Sequence, residues 1–584
     1  MKKVFALFLC LVMILCALPS CGKTADDDKG ATLNVYMSSE LFSFDPATAY
    51  VDDAATQILG LMYEPLFYFN QDGKRTNGCC KSTRIVDDED KGIHYIEFNL
   101  YDTCWNDGIA LQASHFVYAF KRIMEPESHS EAVPLLMELK NAEAVRSGDA
   151  TIDDLGVYDV GTSTLRCEFD HKIDYERFMD YMASPLLVPL REDAIRKVKD
   201  WSTNATIVVT NGPFTIRSFD YGKEMVLERN AYYRRDIERD GIKKYVTPYR
   251  IVFHFDTTAE DAVNQLAEST ILVDGKYPLT ARADTEMKTV DTMTEMAFVF
   301  NTKNAALAEA DVRYALSIAL DRGKIASIIG TASPATGLIT KGVWETNRSG
   351  KTMFADVSGD ILPVSGDAAQ AKSLLAGKTG SFTVMYKANP EDEAVFQYVK
   401  GVWEGLGFTV NGKAVGFDSM KKYIDNEYDV YEDVFLNSYQ EGTFDVMMID
   451  YQMLTTDAFP NLAHFALKFA GGAMDLSVSS DEFELIPHIS GYNSEAYNKL
   501  IDDAFAEADA AKRAEILHNA EKMLLRDAPI APLAVYKTGY NVSKELTGLK
   551  TDGFGSLRFK DASRKGYYAK EAAEAEAAGE AAQG

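Results

Sequence analysis

Apolar residues fall in short, regularly spaced runs along this chain, and one stretch organises the reading of the rest. In Phe444–Phe465, the run Val446-Met447-Met448-Ile449 is short enough for a buried strand and too short for a helix. It stops at Asp450-Tyr451, and after a polar break Thr455, Thr456 and Asp457 offer N-caps for a short helix carrying Phe459 and Leu462. An acid at the carboxyl end of a buried strand sits where open α/β sheets present their ligand crevices. A solvated loop acid or a cap fits the local pattern equally well. Elsewhere Thr32–Tyr36 reads as a first strand, Asp53–Met62 as an amphipathic helix, and Ile93–Leu100 as an alternating strand. Phe116, Val117, Phe120 and Met124 share one face of a helix beginning near Ala113. Asp311 is the expected cap of a helix whose Val312, Ala315, Leu316 and Ala319 form an apolar stripe. Leu500, Ile501 and Ala504 form another stripe before Asp509 restarts the helix, which continues to Asp527-Ala528-Pro529. Such stripes are core packing; they support a fold and carry no chemistry.

The two ends read differently from the body. Lys2 and Lys3 precede the apolar run Val4–Leu18, which meets Pro19-Ser20-Cys21-Gly22, the layout of a secretory signal. The run is shorter than the roughly 20 residues that a spanning helix needs. Leu18-Pro19-Ser20-Cys21 resembles the bacterial lipobox, which would make Cys21 a diacylated first residue; the alternative is a cysteine there by chance. Residues 22–30 are polar and charged, suited to a flexible tether, and residues 571–584 form an acidic Ala/Glu-rich tail. The body is then expected on the extracytoplasmic face of a bacterial cell membrane, held by lipid alone, at the cell surface or in a periplasm.

With 584 residues the chain is long enough for two or more lobes. A net charge of −28 without a Lys/Arg cluster argues against nucleic acid as a partner. Four cysteines remain in the body, Cys79, Cys80, Cys104 and Cys167, with pairing left open. There is no H-E-x-x-H, G-x-S-x-G or phosphate-binding loop, and Gly553-Phe554-Gly555 lacks a third glycine. No two of the eight histidines stand at ligand spacing along the sequence, so neither a metal nor a cofactor is expected, and no catalysis.

Several segments carry a resemblance. Tyr63–Gly78 and Ile93–Pro126, then Asn211-Gly212-Pro213-Phe214 with Val226-Leu227-Glu228-Arg229-Asn230, are similar to signature segments of the family 5 extracellular solute-binding proteins. Phe300-Asn301-Thr302 with Asp311-Val312-Arg313-Tyr314-Ala315-Leu316-Ser317, and Tyr497–Pro532 ending in Asp527-Ala528-Pro529, continue the family's order, from about Thr32 to Phe559. Gln112 replaces the family's usual Thr cap, Cys79-Cys80 replace small or apolar residues, and Leu454–Asp457 departs from the family's DYxDPxTFL run.

The resemblance implies a two-lobed α/β fold of the type II periplasmic-binding-protein (Venus flytrap) kind, with an extra small domain in the first lobe. Lobe I would comprise residues 32–51, 205–295 and 536–559, the additional domain 52–204, and lobe II 296–535, with a hinge near Phe298–Phe300 and Val535–Lys537. It also implies a monomeric, non-enzymatic receptor that captures oligopeptides or dipeptides and delivers them to the permease of an ABC transporter. The alternatives are a non-peptide solute (nickel chelate, opine, oligosaccharide) or a signalling peptide in the same fold, and, from another class, a lipid-anchored hydrolase or adhesin. In peptide-binding members the Asp of DYxDP pairs with the ligand's α-ammonium, a position that maps to Asp450, followed by Tyr451. A strand holding Leu41 would bond the peptide backbone, Tyr536 would line a side-chain pocket, and Met447 replaces a Trp common three residues before the Asp.

Overall fold

The computed structural model describes residues 30–37, 40–128, 130–234, 242, 245–256, 261, 270–273, 285–470, 472–474 and 483–564. The expected signal, Cys21, the tether up to residue 29 and the acidic tail lie outside them. Among the described residues no helix is long and apolar enough to cross a membrane.

One long mixed sheet runs through the molecule. Its ten main strands, numbered in chain order, are β1 Thr32–Tyr36, β2 Phe214–Asp220, β3 Glu224–Arg229, β4 Arg250–His254, β5 Thr270–Val273, β6 Thr285–Phe300, β7 Ser381–Lys387, β8 Thr409–Val415, β9 Val446–Gln452 and β10 Ile530–Ser543. Their spatial order is β8-β7-β9-β6-β10-β5-β1-β4-β3-β2. The long antiparallel pair β6 and β10 lies in the middle. On one side β10 meets β5, which pairs in parallel with β1; on the other β6 meets β9, which pairs in parallel with β7. Strands flanked on both edges and covered by helices read as continuous apolar runs, which is why Val446–Ile449 showed no alternation.

The crossing pair leaves regular register at two places, a one-residue step where Met296 faces Ala534 and Ala297 faces Pro532, and a larger one before it. Asp291 faces Lys537 and Glu295 faces Val535, so Thr292, Met293 and Thr294 stand opposite the single Tyr536. A bulge of this kind bends the strand and re-aims side chains. It coincides with the expected hinge segment Val535–Lys537. Phe298–Phe300 instead pairs regularly with Met448–Val446, and the irregular places on β6 are Asp291–Glu295 and the Met296–Ala297 step.

The remaining N-terminal residues add a four-stranded antiparallel sheet, in the order Cys80–Asp88, Ile93–Leu100, Thr164–Phe169, Val157–Asp159. All four cysteines of the body are buried.

The segments that carry the family likeness turn out to be cross-braces. Asn211 Nδ2 donates to the Glu64 carbonyl at 2.9 Å and Asn211 Oδ1 accepts from the Glu64 N–H at 3.1 Å. Gly212 lies against Met62, where a Cβ would come within 2.6 Å of backbone carbon and oxygen, so only glycine fits without a shift. Asn301 donates to the carbonyls of Gly442 and Phe444 at 2.9 and 2.7 Å, fixing the entry to β9. Arg313 donates to the carbonyls of Leu307, Ala308, Asp527 and Ala528, joining two helix ends in the core. Asp311 is not the cap expected of it: Glu309 holds that position, and Asp311 pairs with Arg526 at the surface. These residues hold backbone to backbone, which accounts for their place in the motifs without any ligand.

Candidate functional site

Asp450 does not end its strand, which runs two residues further to Gln452, but it does sit among groups that converge from four other parts of the chain. β7, parallel to β9 with Val384 beside Val446, delivers Lys387 at its last position. Lys387 Nζ lies 3.0 Å from Asp450 Oδ2 and 3.0 Å from Asp52 Oδ1. Asp52 is the cap of the Asp53–Met62 helix and accepts from the Ala55 N–H at 3.3 Å. Tyr536, at the β10 bulge, donates its hydroxyl to Asp450 Oδ1 at 2.7 Å. The helix that follows β7, Pro390–Glu404, is capped by Asn389 and carries Asp392 in its first turn. Asp433 caps Val434–Gln440 nearby, with the Phe435 ring 5.8 Å from Lys387 Nζ.

Acid outnumbers base here, and burial sharpens the imbalance. Burial pulls Lys387 down, but the Asp450 and Asp52 carboxylates outweigh it and hold the ammonium charged well above its ordinary range. Asp392, buried and repelled by the Asp450 charge, has its carboxyl pushed up to about 7. Burial raises Asp433 to about 6. Burial, reinforced by Asp450, keeps the Tyr536 phenol protonated and therefore a donor. The cluster thus offers one internal cation to four carboxyls, two of which titrate near neutrality.

Several further contacts close the molecule around this cluster. Lys387 joins Asp450 of β9 to Asp52 of the N-terminal part. The hairpin of Lys421–Asp425 and Tyr428–Glu432 reaches the 197–204 segment, where Tyr431 N–H donates to Thr203 Oγ1 at 2.9 Å and Asn426 Nδ2 to the Lys197 carbonyl at 2.7 Å. Phe417 stacks on Tyr221 at 4.5 Å. A cavity of about 510 Å³ opens along the bulge, lined by Asp291, Thr292, Val535, Tyr536 and Lys537 with Thr340 and Glu521 opposite, within the usual size of a ligand site.

The other expected site residues are placed differently. Met447 and Tyr451 are an odd number of positions from Asp450, so the strand pleat turns them to the opposite face. Both are fully buried, and the Tyr451 hydroxyl donates to the Asn461 carbonyl at 3.2 Å. Leu41 is buried too, but it lies on no strand: β1 ends at Tyr36, and the Phe44 N–H is already committed to the Ser202 carbonyl. The expectation of a backbone-pairing strand at Leu41 is corrected accordingly. Lys387, Asp52, Asp392 and Asp433 are absent from the sequence-based set. Lys387 carried the same signal as Asp450, a polar residue closing the apolar run Phe382–Tyr386 just before the helix start Asn389-Pro390.

Comparison with known proteins agrees with this architecture. The family described as "Bacterial extracellular solute-binding proteins, family 5 Middle" matches residues 88–472. The oligopeptide-binding protein OppA of Bacillus subtilis is 25% identical over 96% of this chain and 99% of its own length. The periplasmic murein peptide-binding protein MppA of Escherichia coli is 24% identical over 88% of this chain and 89% of its own. Among solved structures, the substrate-binding domain of an oligopeptide ABC transporter from Bacillus anthracis superposes with a TM-score of 0.74 at 21% identity, covering 93% of this chain and 99% of that one. The two-lobed α/β fold is therefore the expected one, and the chain belongs to the family 5 bacterial extracellular solute-binding proteins.

Proposed function

We propose that this protein captures short peptides between its two lobes, with Asp450 facing the ligand's α-ammonium, and delivers them to the permease of an ABC transporter. In this reading it works as a non-enzymatic, monomeric lipoprotein, anchored at the outer face of the cell membrane through Cys21. The observation that carries the reading is the part-buried Asp450 carboxylate, 14% exposed and already bonded to an ammonium (Lys387) and a phenol (Tyr536) beside the crossing strands. A largely desolvated carboxylate in such surroundings binds an ammonium strongly and disfavours a ligand that leaves it unpaired. The relatives named for oligopeptide and murein peptide binding support the peptide class.

The deciding experiment is to purify the mature protein, denature it, and identify the released small molecules by mass spectrometry. Mixed short peptides are expected; one sugar, opine or metal chelate would overturn the peptide reading. A second reading is favoured by Lys387 itself, which already occupies a seat against Asp450 and Asp52. A ligand without a free amine would leave that pair intact and bind through the rest of the cleft. Calorimetry with a free-amino peptide and its N-acetylated form separates the two readings.

Binding of an ammonium should depend on pH with a definite sign. A second cation beside Asp392 lowers its carboxyl from about 7, so binding expels a proton. Affinity for a free-amino peptide should then rise from about pH 5 to about pH 7, by at most about tenfold per unit for each proton released, and level off above. The N-acetylated peptide should show no such slope; equal slopes for both would remove Asp392 from the site.

A further inference from the structure

Two histidines that stand apart in the sequence meet a buried glutamate in the fold. His464 follows the Ala458–Ala463 helix, His488 lies in the segment before the Glu495–Ala506 helix, and Glu131 precedes the turn Val133–Leu135 of the N-terminal part. Their exposures are 1%, 4% and 2%. One ligand atom from each falls within 4.8 Å of the others. His464 Nε2 is 3.3 Å from Glu131 Oε2, and His488 Nε2 is 3.5 Å from Glu131 Oε1.

We propose that Glu131, His464 and His488 form a buried binding site for a divalent transition-metal ion, zinc foremost. Three features carry the assignment. First, the distances are too long for good N–H···O hydrogen bonds, which centre near 2.9 Å. They match the edge of a tetrahedron around zinc, where donors about 2.0–2.1 Å from the ion lie about 3.3 Å apart.

Second, the far sides of both rings are fixed. His464 Nδ1 faces the Pro460 carbonyl at 3.3 Å; a carbonyl can only accept, so this nitrogen carries the ring proton and Nε2 presents a lone pair to Glu131. His488 Nδ1 accepts from the Ser490 N–H at 3.3 Å and lies 2.8 Å from the Ser490 hydroxyl, so an ion bound at Nε2 would move the ring proton to Nδ1, where that hydroxyl can accept it. Metal-bound histidines are held in this way by a partner on the nitrogen that does not bind the ion. The His464 lone pair and the Glu131 carboxylate point at one another, an arrangement that a cation between them would satisfy, with His488 Nε2 within reach of the same point. An imidazolium would have to be charged in a place from which water is excluded.

Third, two phenols complete the surroundings. Tyr439 donates to Glu131 Oε1 at 2.5 Å, and the Tyr451 hydroxyl lies 3.4 Å from His464 Nε2. The ion would join the N-terminal part to the helix after β9 and steady that strand from the face opposite Asp450. This gives the fully buried Tyr451 a role as a support behind the peptide seat.

The test uses the full mature chain stripped by a chelator and titrated with Co²⁺ and then Zn²⁺. One equivalent of Co²⁺ should bind with the visible d–d absorption of a four-coordinate nitrogen and oxygen site, lacking thiolate charge transfer, and Zn²⁺ should displace it. Zn²⁺ should also raise the melting temperature, saturating at one equivalent. Glu131→Gln keeps the shape of the side chain and should lose the Co²⁺ spectrum while retaining the wild-type circular dichroism; His464→Gln should behave alike. The wild-type titration decides even where a variant misfolds. Absence of stoichiometric binding, a thiolate spectrum, or a spectrum that survives in a folded Glu131→Gln variant would overturn the site.

Discussion

Replacing Lys387 by methionine should lower the unfolding free energy by about 3–5 kcal/mol at neutral pH, the usual cost of removing one partner from a buried ion pair. The side chain is 8% exposed, and methionine preserves its length and apolar stem while deleting the charge. What remains is Asp450 and Asp52 facing each other across the gap that the ammonium filled, with Asp392 and Asp433 behind them. The loss therefore belongs mostly to the carboxylates left behind. It should shrink as the pH falls, because those carboxyls can neutralise themselves by taking up protons. A free-amino dipeptide supplies the missing cation, so it should stabilise the variant more than the wild type, and an N-acetylated dipeptide should not. Denaturant unfolding with and without each peptide checks all of this. An unchanged midpoint would show that Lys387 contributes nothing to closure.

The strands, most helix starts and the order of the segments were legible in the sequence because they depend on local spacing. Asp457 caps its helix as the pattern Thr455-Thr456-Asp457 suggested, and Asp509 caps the last long one. Asp450 was legible for the same reason, as a polar residue closing an apolar run. What the sequence did not show is what meets it. Lys387 is 63 residues away in the chain and Tyr536 86, and only the parallel pairing of β7 with β9 and the bulge on β10 bring them in. The same holds for Glu131, His464 and His488, scattered in sequence and joined in space. Met447 and Tyr451 were expected in the ligand site from the family's motif around Asp450, whereas in a pleated strand odd offsets point to opposite faces. The strand at Leu41 came from the resemblance rather than from local spacing. Beyond it the Asp45 carboxylate is clamped by Arg122, and its neighbour Pro46 starts a 3-10 turn.

Asp450→Asn is the sharper probe of ligand chemistry. Asparagine keeps the planar shape, so its oxygen can still accept from the Tyr536 hydroxyl, and Lys387 keeps Asp52 as a carboxylate partner. Stability should consequently fall less than in Lys387→Met. An alanine there is a poorer test, because it would strip Lys387 of one carboxylate and leave a void as well. If the ligand's α-ammonium meets Asp450, the substitution removes a charge-assisted bond worth about 1.5–3 kcal/mol, weakening free-amino peptides by about 10- to 150-fold. An N-acetylated peptide should be unaffected or bind better, since the rejecting charge has gone. The comparison of the two ligands isolates the ammonium contact from any general loosening of the cleft, which would weaken both. Equal changes for both peptides would take Asp450 out of ligand contact and leave it as the inner partner of Lys387. The ligand would then be sought along the 510 Å³ cavity at the bulge, where Lys537, Asp291 and the edge of Tyr536 are the groups it would meet.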